Sequence, residues 1–538
     1  MKSIQQFLQK PWLYLIIILF GIAVKFYYID YRFFWFDEVC TIMHVTGNTG
    51  MYYPENEIVN LKDFFKDKLH LKKANRSIAE EYRLISQATS LNPLHYYLLS
   101  LWYRVAGDDP VDLRRFSLIM FLLSLPVLFW LARFLFKSEL AGWIAICLFS
   151  SSPYFHFFAL EARYQILWTF IILLLHLIFL KAVEEDKSKW WISYIIVGIL
   201  NLYVNPLSGL IILGHFIFIL IINRRLWLRH TISSCLVVLG YLPWLILIVS
   251  RREEILESLS WHSWLGSNLS VFRLILIQLV YMAESIVSTG GFLKTLRTLQ
   301  YLKLQGNLFQ VIILLGMIVL IVYAFIYAFR KLSKKVSFFL ILIILPQVLF
   351  FLISDLIRNM AGSYNPRYYV ITFSGIILLM TALFYDKIRQ KKQVYAAIFL
   401  ILVLLGYLSI LKNSKNRCWD TPHYCEAIIN EAEFFKKAEN PLYIFSTADI
   451  NIEGTKLLTF INECDRNDMD ILVVSPDKKN IKELIGDRHY SEIYVLHNSD
   501  EFIKNLKTEF GERMDSLEVD GIRAMWRINI NENNSVDN

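Results

Sequence analysis

The feature that most constrains this chain is a series of eleven apolar stretches, each long enough to cross a bilayer as a helix. They lie at 12–30, 116–136, 139–158, 165–182, 190–204, 207–222, 232–249, 308–329, 337–354, 368–385 and 394–411. Only helices and closed barrels satisfy every backbone hydrogen bond inside lipid, and a helix needs about 20 apolar residues to span it. The chain is also 56% hydrophobic and only 19% charged, unlike soluble domains. The sequence therefore predicts a mostly α-helical, polytopic membrane protein.

A twelfth apolar candidate, Pro93 to Gly107, is better interpreted as a helix that lies in the membrane interface. It is short, it carries His95 and Arg104, and it is rich in tyrosine and tryptophan. These features are typical of a helix at the water–lipid boundary rather than of one that crosses it. We therefore expect eleven spans, the first of them uncleaved.

The distribution of basic residues predicts which side of the membrane each connection faces. With the N-terminus inside, the inner connections carry 18 basic residues. These are Lys2, Lys10, Arg133, Lys137, Lys181, Lys187, Lys189, Arg224, Arg225, Arg229, Arg330, Lys331, Lys334, Lys335, Lys387, Arg389, Lys391 and Lys392. The short outer loops carry only Arg163, Arg358 and Arg367. Because cytoplasmic loops are enriched in lysine and arginine, we expect this orientation. The simple, inner-membrane-like topology favours a bacterial plasma membrane.

This topology predicts two domains. A membrane domain covers 1–411, with large extracytoplasmic loops at 31–115 and 250–306, and the tail 412–538 is extracytoplasmic. In the tail, strand-like runs alternate with helical stretches, which is typical of a small α/β domain. The predicted strands are Leu442–Ser446, Ile471–Val474, Glu492–Leu496 and Arg523–Ile530, and the predicted helices are Thr455–Cys464, Lys479–Ile485 and Asp500–Phe510.

The net charge of +8 does not indicate a nucleic-acid-binding protein. The basic residues occur in short runs between apolar spans, which the inner-loop bias explains. Cysteine usage is also informative, because Cys418 and Cys425 lie close together in the hydrophilic tail. If the tail is exported, the two could form a disulfide.

The acidic pair Asp37-Glu38 follows the first span directly, in the run Tyr-Arg-Phe-Phe-Trp-Phe-Asp-Glu-Val-Cys-Thr. Two adjacent carboxylates among aromatic residues at the membrane boundary are costly to bury, which favours a function for them. The predicted topology puts other polar residues on the same membrane face. These are His44, Asn92, His95, Glu161, Arg163, Tyr164, Asn205-Pro206 and Asn365-Pro366-Arg367-Tyr368-Tyr369.

Carboxylates and arginines on one membrane face are the groups that sugar transfer from a lipid-phosphate donor requires. A carboxylate removes the proton of the acceptor, and guanidinium groups hold the departing phosphate through two parallel hydrogen bonds. The sequence therefore indicates a transferase at the outer face, with Asp37 as the general base.

Several short motifs resemble those of the GT-C glycosyltransferases, in the same order. They are the acidic pair, Asn-Pro-Leu-His-Tyr-Tyr-Leu, Leu-Arg-Arg-Phe-Ser at the start of the second span, Ala-Arg-Tyr at 162–164, and an Arg-Tyr pair before a late span. Within that superfamily the chain is most similar to the protein O-mannosyltransferases and the lipid A aminoarabinose transferases. The resemblance covers about 10–250 most closely and extends to 411, but not into the tail.

The resemblance implies a polyprenyl-phosphate sugar donor, extracytoplasmic transfer and inversion at the anomeric carbon. Asp37 matches the catalytic acidic residue, with Glu38 as its neighbour, and Arg163 and Arg367 match donor-phosphate residues, next to Tyr368. Glu161, His44, His95 and Tyr164 are further site candidates. The chain departs from the family pattern at Asn92, and neither a divalent cation nor its ligands are specified by the motifs.

Simpler structural interpretations exist for each of these residues. Asp37-Glu38 could be a solvated boundary pair, Glu161 and Arg163 a local ion pair, and Arg367 an anchor on lipid headgroups. His176 and His215 lie mid-span and are interpreted as packed, hydrogen-bonded residues.

Two other functions compete with the transferase. A transporter or flippase for a lipid-linked glycan would show repeat symmetry and polar residues near mid-membrane, whereas here the charges collect at one face. A glycan ligase or scaffold, whose exported tail binds a partner, is the other alternative.

Overall fold

The computed structural model describes residues 10–46, 55–63, 77–87, 93–107, 109–253, 270–288, 308–358, 362–419, 424–446, 450–466, 468–475, 477–496, 500–517 and 525–529. The chain divides into two compact units. The first comprises Met1–Arg32, Ile85–Trp102 and Val111–Asp420, and the second comprises Phe33–Leu84, Tyr103–Pro110 and Thr421–Asn538. The second unit therefore draws on the predicted first loop as well as on the tail, whereas the sequence predicted a domain from the tail alone.

Helices dominate the described residues. In chain order they are α1 (Pro11–Tyr28), α2 (Phe36–Thr46), α3 (Ile78–Gln87), α4 (Pro93–Ala106), α5 (Pro110–Phe136), α6 (Glu139–Ser150), α7 (Pro153–Ala159), α8 (Gln165–Glu185), α9 (Ser188–Val204), α10 (Gly209–Ile222), α11 (Trp227–Ser250), α12 (Val271–Glu284), α13 (Leu308–Lys331), α14 (Lys334–Arg358), α15 (Val370–Arg389), α16 (Gln393–Ser414), α17 (Tyr424–Phe435), α18 (Ile450–Cys464), α19 (Ile481–Ile485) and α20 (Asp500–Phe510). The mostly helical membrane fold that the sequence predicts is confirmed.

Each of the eleven predicted apolar stretches is helical over most of its length. Among the described residues, eight helices are long and apolar enough to cross a membrane: α1, α5, α8, α11, α13, α14, α15 and α16. The other three stretches form the shorter helices α6, α9 and α10. The predicted interfacial segment is helical too, as α4.

The centre of the first unit is formed by α8 and α15. In their most apolar windows 78% and 83% of the residues are buried, against 22% in α11 and 28% in α13. Helix α15 packs against α6, α8, α13, α14 and α16. A helix that is apolar all round and buried forms a core, whereas the exposed apolar faces of α11 and α13 suit contact with lipid.

Close helix packing in this unit depends on small residues. A Cβ added at Gly214 of α10 would lie 2.4 Å from the backbone oxygen of Leu342 on α14. Any larger residue there would force the two helices apart, as expected where membrane helices approach closely.

The predicted loop 250–306 contains a helix that the sequence analysis did not identify. Helix α12 packs against α13, α14 and α15, and it buries Leu274, Ile277 and Tyr281. Residues 254–269 and 289–307 of this segment lie outside the described residues. Helix α12 is 14 residues long and includes Arg273, Gln278 and Glu284, so its sequence lacks a continuous apolar stretch of spanning length.

The second unit contains a six-stranded mixed sheet with the order β1-β3-β2-β4-β6-β5. Its strands are β1 (Ile58–Asn60), β2 (Pro441–Ser446), β3 (Asp470–Val474), β4 (Glu492–Leu496), β5 (Met514–Leu517) and β6 (Met525–Ile528). Strands β3, β2 and β4 are parallel and are connected through helices, as the alternating pattern of the tail predicted. Strand β1 comes from the first predicted loop and pairs antiparallel with β3, which no pattern in the tail could indicate.

The core of this sheet consists of alternating strand residues and helix residues that face them. Leu442 and Ile444 of β2 and Val495 of β4 are fully buried, together with Phe502 and Leu506 of α20. Cys418 and Cys425 are disulfide-bonded, whereas Cys40, Cys147, Cys235 and Cys464 are free. The disulfide that the spacing suggested is therefore present.

Candidate functional site

The first part of the candidate site is the short connection between α14 and α15, which carries Arg367 and Tyr368. Residues Gly362–Tyr364 and Pro366–Tyr368 each form one turn of 3-10 helix. Asn365 caps the second turn, because its side-chain oxygen accepts a hydrogen bond from the backbone N–H of Arg367 at 3.3 Å. The Asn-Pro pair thus fixes the backbone from which Arg367 projects.

A buried carboxylate of α14 holds the beginning of this connection. Asp355 is 2% exposed. Its two oxygens accept hydrogen bonds from the backbone N–H of Gly362 at 2.9 Å and of Ser363 at 2.8 Å, and from the Ser363 hydroxyl. Three donors satisfy the carboxylate, which accounts for its presence within the helix bundle.

A buried amide of the same helix holds the other side of the connection. Gln347 donates from Nε2 to the carbonyl of Tyr368 at 2.6 Å. Its Oε1 accepts from the backbone N–H and the hydroxyl of Thr372, at 2.9 and 2.8 Å. The backbone is therefore anchored on both sides of Arg367, which limits the disorder that a ligand would have to remove.

The second part is the turn between α7 and α8, which carries Glu161, Arg163 and Tyr164. The turn is tight, because the N–H of Arg163 donates to the carbonyl of Glu161 at 2.7 Å. The same carbonyl accepts from the hydroxyl of Ser117 on α5, also at 2.7 Å. Tyr164 then begins α8 by accepting a backbone hydrogen bond from Trp168 at 2.8 Å. Buried backbone contacts thus fix where these three side chains start.

The two parts meet at Tyr164. Burial raises the pKa of the Tyr164 hydroxyl and the neighbouring Tyr368 raises it further, while the positive charges of Arg163 and Arg367 act in the opposite direction. Such interactions weaken with distance, so the four side chains belong to one cluster. The Arg163 guanidinium lies 5.8 Å from the ring centre of Tyr164, and that of Arg367 lies 5.7 Å from the ring centre of Tyr368. We call these four residues the Tyr164 cluster.

His95 lies beside the Tyr164 cluster, near the start of α4. It is 1% exposed, and its ring centre is 6.4 Å from that of Tyr164. Burial, together with the positive charge of Arg163, lowers the pKa of His95 to about 3, although the Ala162 carbonyl favours the protonated form. His95 is therefore neutral at physiological pH and adds no positive charge to the cluster.

The acidic pair belongs to the second unit and opens α2. Asp37 and Glu38 occupy the first turn, where negative side chains suit the partial positive charge of a helix N-terminus. Glu38 is fully buried and Asp37 is half-buried. The Asp37 carbonyl accepts from the hydroxyl of Thr41 at 2.9 Å, and Nδ1 of His44 lies 2.6 Å from the carbonyl of Cys40. Helix α2 packs against α18 of the same unit.

Comparison with known sequences gives one family match. Residues 90–249 match the family described as dolichyl-phosphate-mannose-protein mannosyltransferase. This segment includes the His95 and Arg163 regions of the candidate site. No curated protein sequence matches the chain.

Comparison with solved structures gives matches over nearly the whole chain. The chain is similar to ArnT from Cupriavidus metallidurans bound to undecaprenyl phosphate, with a TM-score of 0.51 and 14% identity, covering 96% of this chain and 98% of that one. The fold is that of a GT-C glycosyltransferase. The same ArnT in the apo state matches with a TM-score of 0.44, 14% identity and coverage of 96% and 97%. An oligosaccharyltransferase from Archaeoglobus fulgidus matches with a TM-score of 0.41, 12% identity and coverage of 84% and 59%.

The GT-C resemblance predicted from the motifs is thus confirmed, through the fold and through the family match over residues 90–249. Arg163, Tyr164, Arg367 and Tyr368 come together as one cluster, with His95 beside it. The roles of these residues, and of Asp37, Glu38, Glu161 and His44, stay predictions. Asn92 lies outside the described residues. Within the described part of the chain, no group of three or more His, Cys, Asp or Glu residues is arranged to hold a metal ion.

Sequence reasoning missed two buried arginines that fix the end of α1. Arg114 donates to the carbonyls of Ile29 and Arg32, both at 3.0 Å. Arg32 donates to the carbonyl of Phe157 at 3.1 Å, and its guanidinium lies 3.8 Å from the centre of that ring. They hold the chain five residues before Asp37. For Arg114 the available signal was the Leu-Arg-Arg-Phe-Ser motif, since arginine is rarely buried without partners.

Proposed function

We propose that the protein transfers a sugar from a polyprenyl-phosphate donor to an acceptor on the extracytoplasmic side of the membrane, with inversion at the anomeric carbon. The observation that carries this proposal is the convergence of Arg163 and Arg367 on the buried Tyr164 within a GT-C fold. The similar ArnT structure contains undecaprenyl phosphate, which supports a lipid phosphate of this class as the donor carrier.

The Tyr164 cluster suits the phosphate of the donor for electrostatic reasons. Two guanidinium groups offer planar pairs of N–H donors that match phosphate oxygens, and the two tyrosines add hydroxyl donors. Hydrogen bonds to charged groups are worth about 1.5–3 kcal/mol each. Negative charge on the phosphate grows as the bond to the sugar breaks, so the same contacts also favour the leaving group.

In the proposed reaction, Asp37 acts as the general base. Its carboxylate takes the proton of the acceptor hydroxyl, and the acceptor oxygen forms a bond to the anomeric carbon. The bond between that carbon and the phosphate oxygen breaks, and its electron pair leaves with the lipid phosphate toward Arg163 and Arg367. A single displacement from the opposite side inverts the anomeric carbon. Glu38, buried beside Asp37, positions this turn of α2.

The distribution of basic residues supports the proposed orientation of the protein in the membrane, and a disulfide in the tail supports it independently. The 18 basic residues assign one set of helix ends to the cytoplasm. The disulfide between Cys418 and Cys425 supports an oxidising compartment for the segment after α16. We therefore propose a bacterial plasma membrane location with the tail domain outside.

Transfer by the purified protein tests this proposal. The full-length chain is incubated with polyprenyl-phosphate donors carrying different labelled sugars and with an envelope extract as acceptor. We expect label to move from the donor lipid to the acceptor, and Asp37→Asn to lower the rate by about 10²–10⁴-fold, because a base no longer takes the proton.

The matched control is Asp30→Asn, which removes an exposed carboxylate seven residues earlier. We expect this variant to retain full transfer. Near-normal transfer by Asp37→Asn would remove Asp37 from the proposed role. If no donor is consumed but vesicles containing the protein translocate a lipid-linked glycan, the protein is a transporter instead.

A further inference from the structure

A cleft lies where the C-terminal ends of α5 and α8 meet the N-terminus of α6. It has a volume of about 710 Å³, and three cations line it: Arg133, Lys137 and Lys181. One carboxylate, Glu139, also faces it. The lining is therefore positively charged, at the end of the bundle that carries the basic connections.

Local ion pairs do not neutralise the three cations completely. Arg133 lies 3.2 Å from Glu139, and Lys137 lies 2.7 Å from Glu184. Lys335 also approaches Glu184, at 3.4 Å. In the ranges that the structure describes, Lys181 forms no ion pair, and its ammonium lies 4.5 Å from the ring centre of Trp190. A cation without a carboxylate beside an open cleft is available to an anionic ligand.

The apolar side of the cleft indicates which anion it would take. Trp130 lines the cleft and is 52% exposed, with the Arg133 guanidinium 4.8 Å from its ring centre. Leu123, seven residues earlier on α5, is also exposed. Residues seven apart lie on one face of a helix, so an apolar stripe continues from the cleft along α5. A ligand with a charged head and an acyl chain matches both features, whereas a free phosphate matches only the first.

We propose that this cleft binds the headgroup of an anionic phospholipid from the adjacent leaflet. The lipid phosphate contacts Arg133 and Lys181, and an acyl chain lies along Leu123 and Trp130. By the basic-residue distribution this is the cytoplasmic leaflet. Lys181 and Tyr164 are separated by 17 residues of α8, about 25 Å at 1.5 Å per residue. The lipid site is thus distinct from the Tyr164 cluster and does not depend on the proposed transfer reaction.

Native mass spectrometry of the full-length protein in detergent tests the proposal. The protein is titrated with phosphatidylglycerol or with phosphatidylcholine, and the bound fraction of each is measured. We expect phosphatidylglycerol to bind more tightly. The double variant Arg133→Gln/Lys181→Gln should weaken its binding roughly 25-fold, since each cation near an anionic lipid is worth about a five-fold change in affinity.

Two variants control for charge and for folding. Lys331→Gln/Lys334→Gln removes two exposed cations from the connection between α13 and α14, outside the cleft, and should leave phosphatidylglycerol affinity unchanged. Arg133→Lys/Lys181→Arg keeps both charges and should bind within about three-fold of the wild type.

Three results would contradict the proposal of a phospholipid site in this cleft. They are equal affinity for the two lipids, an equal loss in both glutamine double variants, and displacement of the lipid by excess inorganic phosphate, which would indicate a site for a soluble anion.

Discussion

Two polar clusters of the first unit differ in charge and in burial. The Tyr164 cluster contains two arginines, close to the ends of helices. The second, which we call the histidine chain, links α8, α9, α10 and α11 through hydrogen bonds. It runs from His176 to His215 at 2.9 Å, to Tyr194 at 3.2 Å, to His230 at 3.2 Å and to Ser234 at 3.3 Å.

Every hydrogen bond of the histidine chain can form with all of its members neutral. If Nδ1 carries the proton on each histidine, His176 donates to His215, and His215 donates to the Tyr194 oxygen. Tyr194 then donates to His230, and His230 donates to Ser234. This one assignment of protons uses every hydrogen bond of the chain. The ring of His215 also stacks on Phe179 at 3.7 Å.

The difference separates a charged cluster, which we propose as a phosphate site, from a network of neutral hydrogen-bonded groups in the same membrane bundle. The members of the histidine chain bond to one another as neutral groups, whereas the two guanidinium groups of the Tyr164 cluster carry positive charge, which favours an anion. The interpretation of His176 and His215 as packed, hydrogen-bonded residues agrees with this geometry. Polar groups deep in a bundle would also suit a transporter, but the members of the histidine chain are uncharged hydrogen-bonding groups.

The largest expected effect is on donor binding by the Tyr164 cluster. Arg163→Ala/Arg367→Ala should weaken binding of undecaprenyl phosphate by about 100-fold or more, because two charge-assisted contacts of about 1.5–3 kcal/mol each are lost. Titration of the purified protein with fluorescently labelled undecaprenyl phosphate measures this affinity. The variant Arg163→Lys/Arg367→Lys should lose less affinity for the lipid phosphate, since it keeps two positive charges. Equal affinity in wild type and the alanine variant would remove the phosphate site.

A large effect on stability is expected when the histidine chain is interrupted. Tyr194→Phe should lower the free energy of unfolding by about 2–4 kcal/mol, because it leaves buried nitrogens of His215 and His230 without their partner. Denaturant titration in detergent measures this. Tyr203→Phe on the same helix loses a part-buried bond to the Gly240 carbonyl and should cost less. If Tyr194→Phe weakened donor binding as much as the arginine variant, the two clusters would not be functionally distinct.

A pH effect of intermediate size should distinguish His95 from the arginines beside it. The pKa of His95 is lowered to about 3 in the folded protein, against about 6.5 in an unfolded chain. As the pH falls from 6.5 toward 3, His95 therefore becomes protonated in the unfolded chain but stays neutral in the folded protein. Between pH 7 and pH 5 this should cost about 2 kcal/mol of stability. Denaturant titration of His95→Gln should show a smaller loss of unfolding free energy between pH 7 and pH 5. If this variant lost as much stability as the wild type, the burial of a neutral His95 would be contradicted.

The smallest expected effect tests how the cluster is positioned. Gln347→Leu removes the hydrogen bonds to the Tyr368 carbonyl and to Thr372, so the connection that carries Arg367 should become less ordered. We expect donor binding to weaken about five-fold, the equivalent of one hydrogen bond of about 1 kcal/mol. Gln347→Glu keeps the acceptor toward Thr372 and should show a smaller change. Unchanged affinity in Gln347→Leu would show that the connection holds its shape without this amide.

Most of the fold could be predicted from the sequence because membrane spans are long, continuous patterns. Every predicted stretch became a helix, and the strands β2, β3 and β4 lie within one residue of their predicted bounds. Strand β1 could not be predicted, because a strand of three residues is too short to show an alternating pattern, and its partner β3 lies more than 400 residues away. Helix α12 was missed since its apolar run is too short to span a membrane.

The candidate site residues could be named from the sequence, but their geometry could not. Arg163 and Arg367 stood out as the rare cations of the short outer loops. Asp355 and Gln347 gave no comparable signal, because their partners are backbone groups of a connection whose shape only the fold determines. Arg114 occurred in a recognised motif, yet its role as a clamp on the carbonyls of Ile29 and Arg32 depends on packing between α1 and α5.

Mapping the donor lipid on the protein tests the central claim most directly. A photoreactive polyprenyl phosphate is bound to the purified full-length chain, irradiated, and its attachment sites are identified by peptide mass spectrometry. The account predicts labelled peptides that contain Arg163–Tyr164 and Arg367–Tyr368, and competition by undecaprenyl phosphate. Labelling centred instead on the helices of the histidine chain, with the two arginine peptides unmodified, would contradict it.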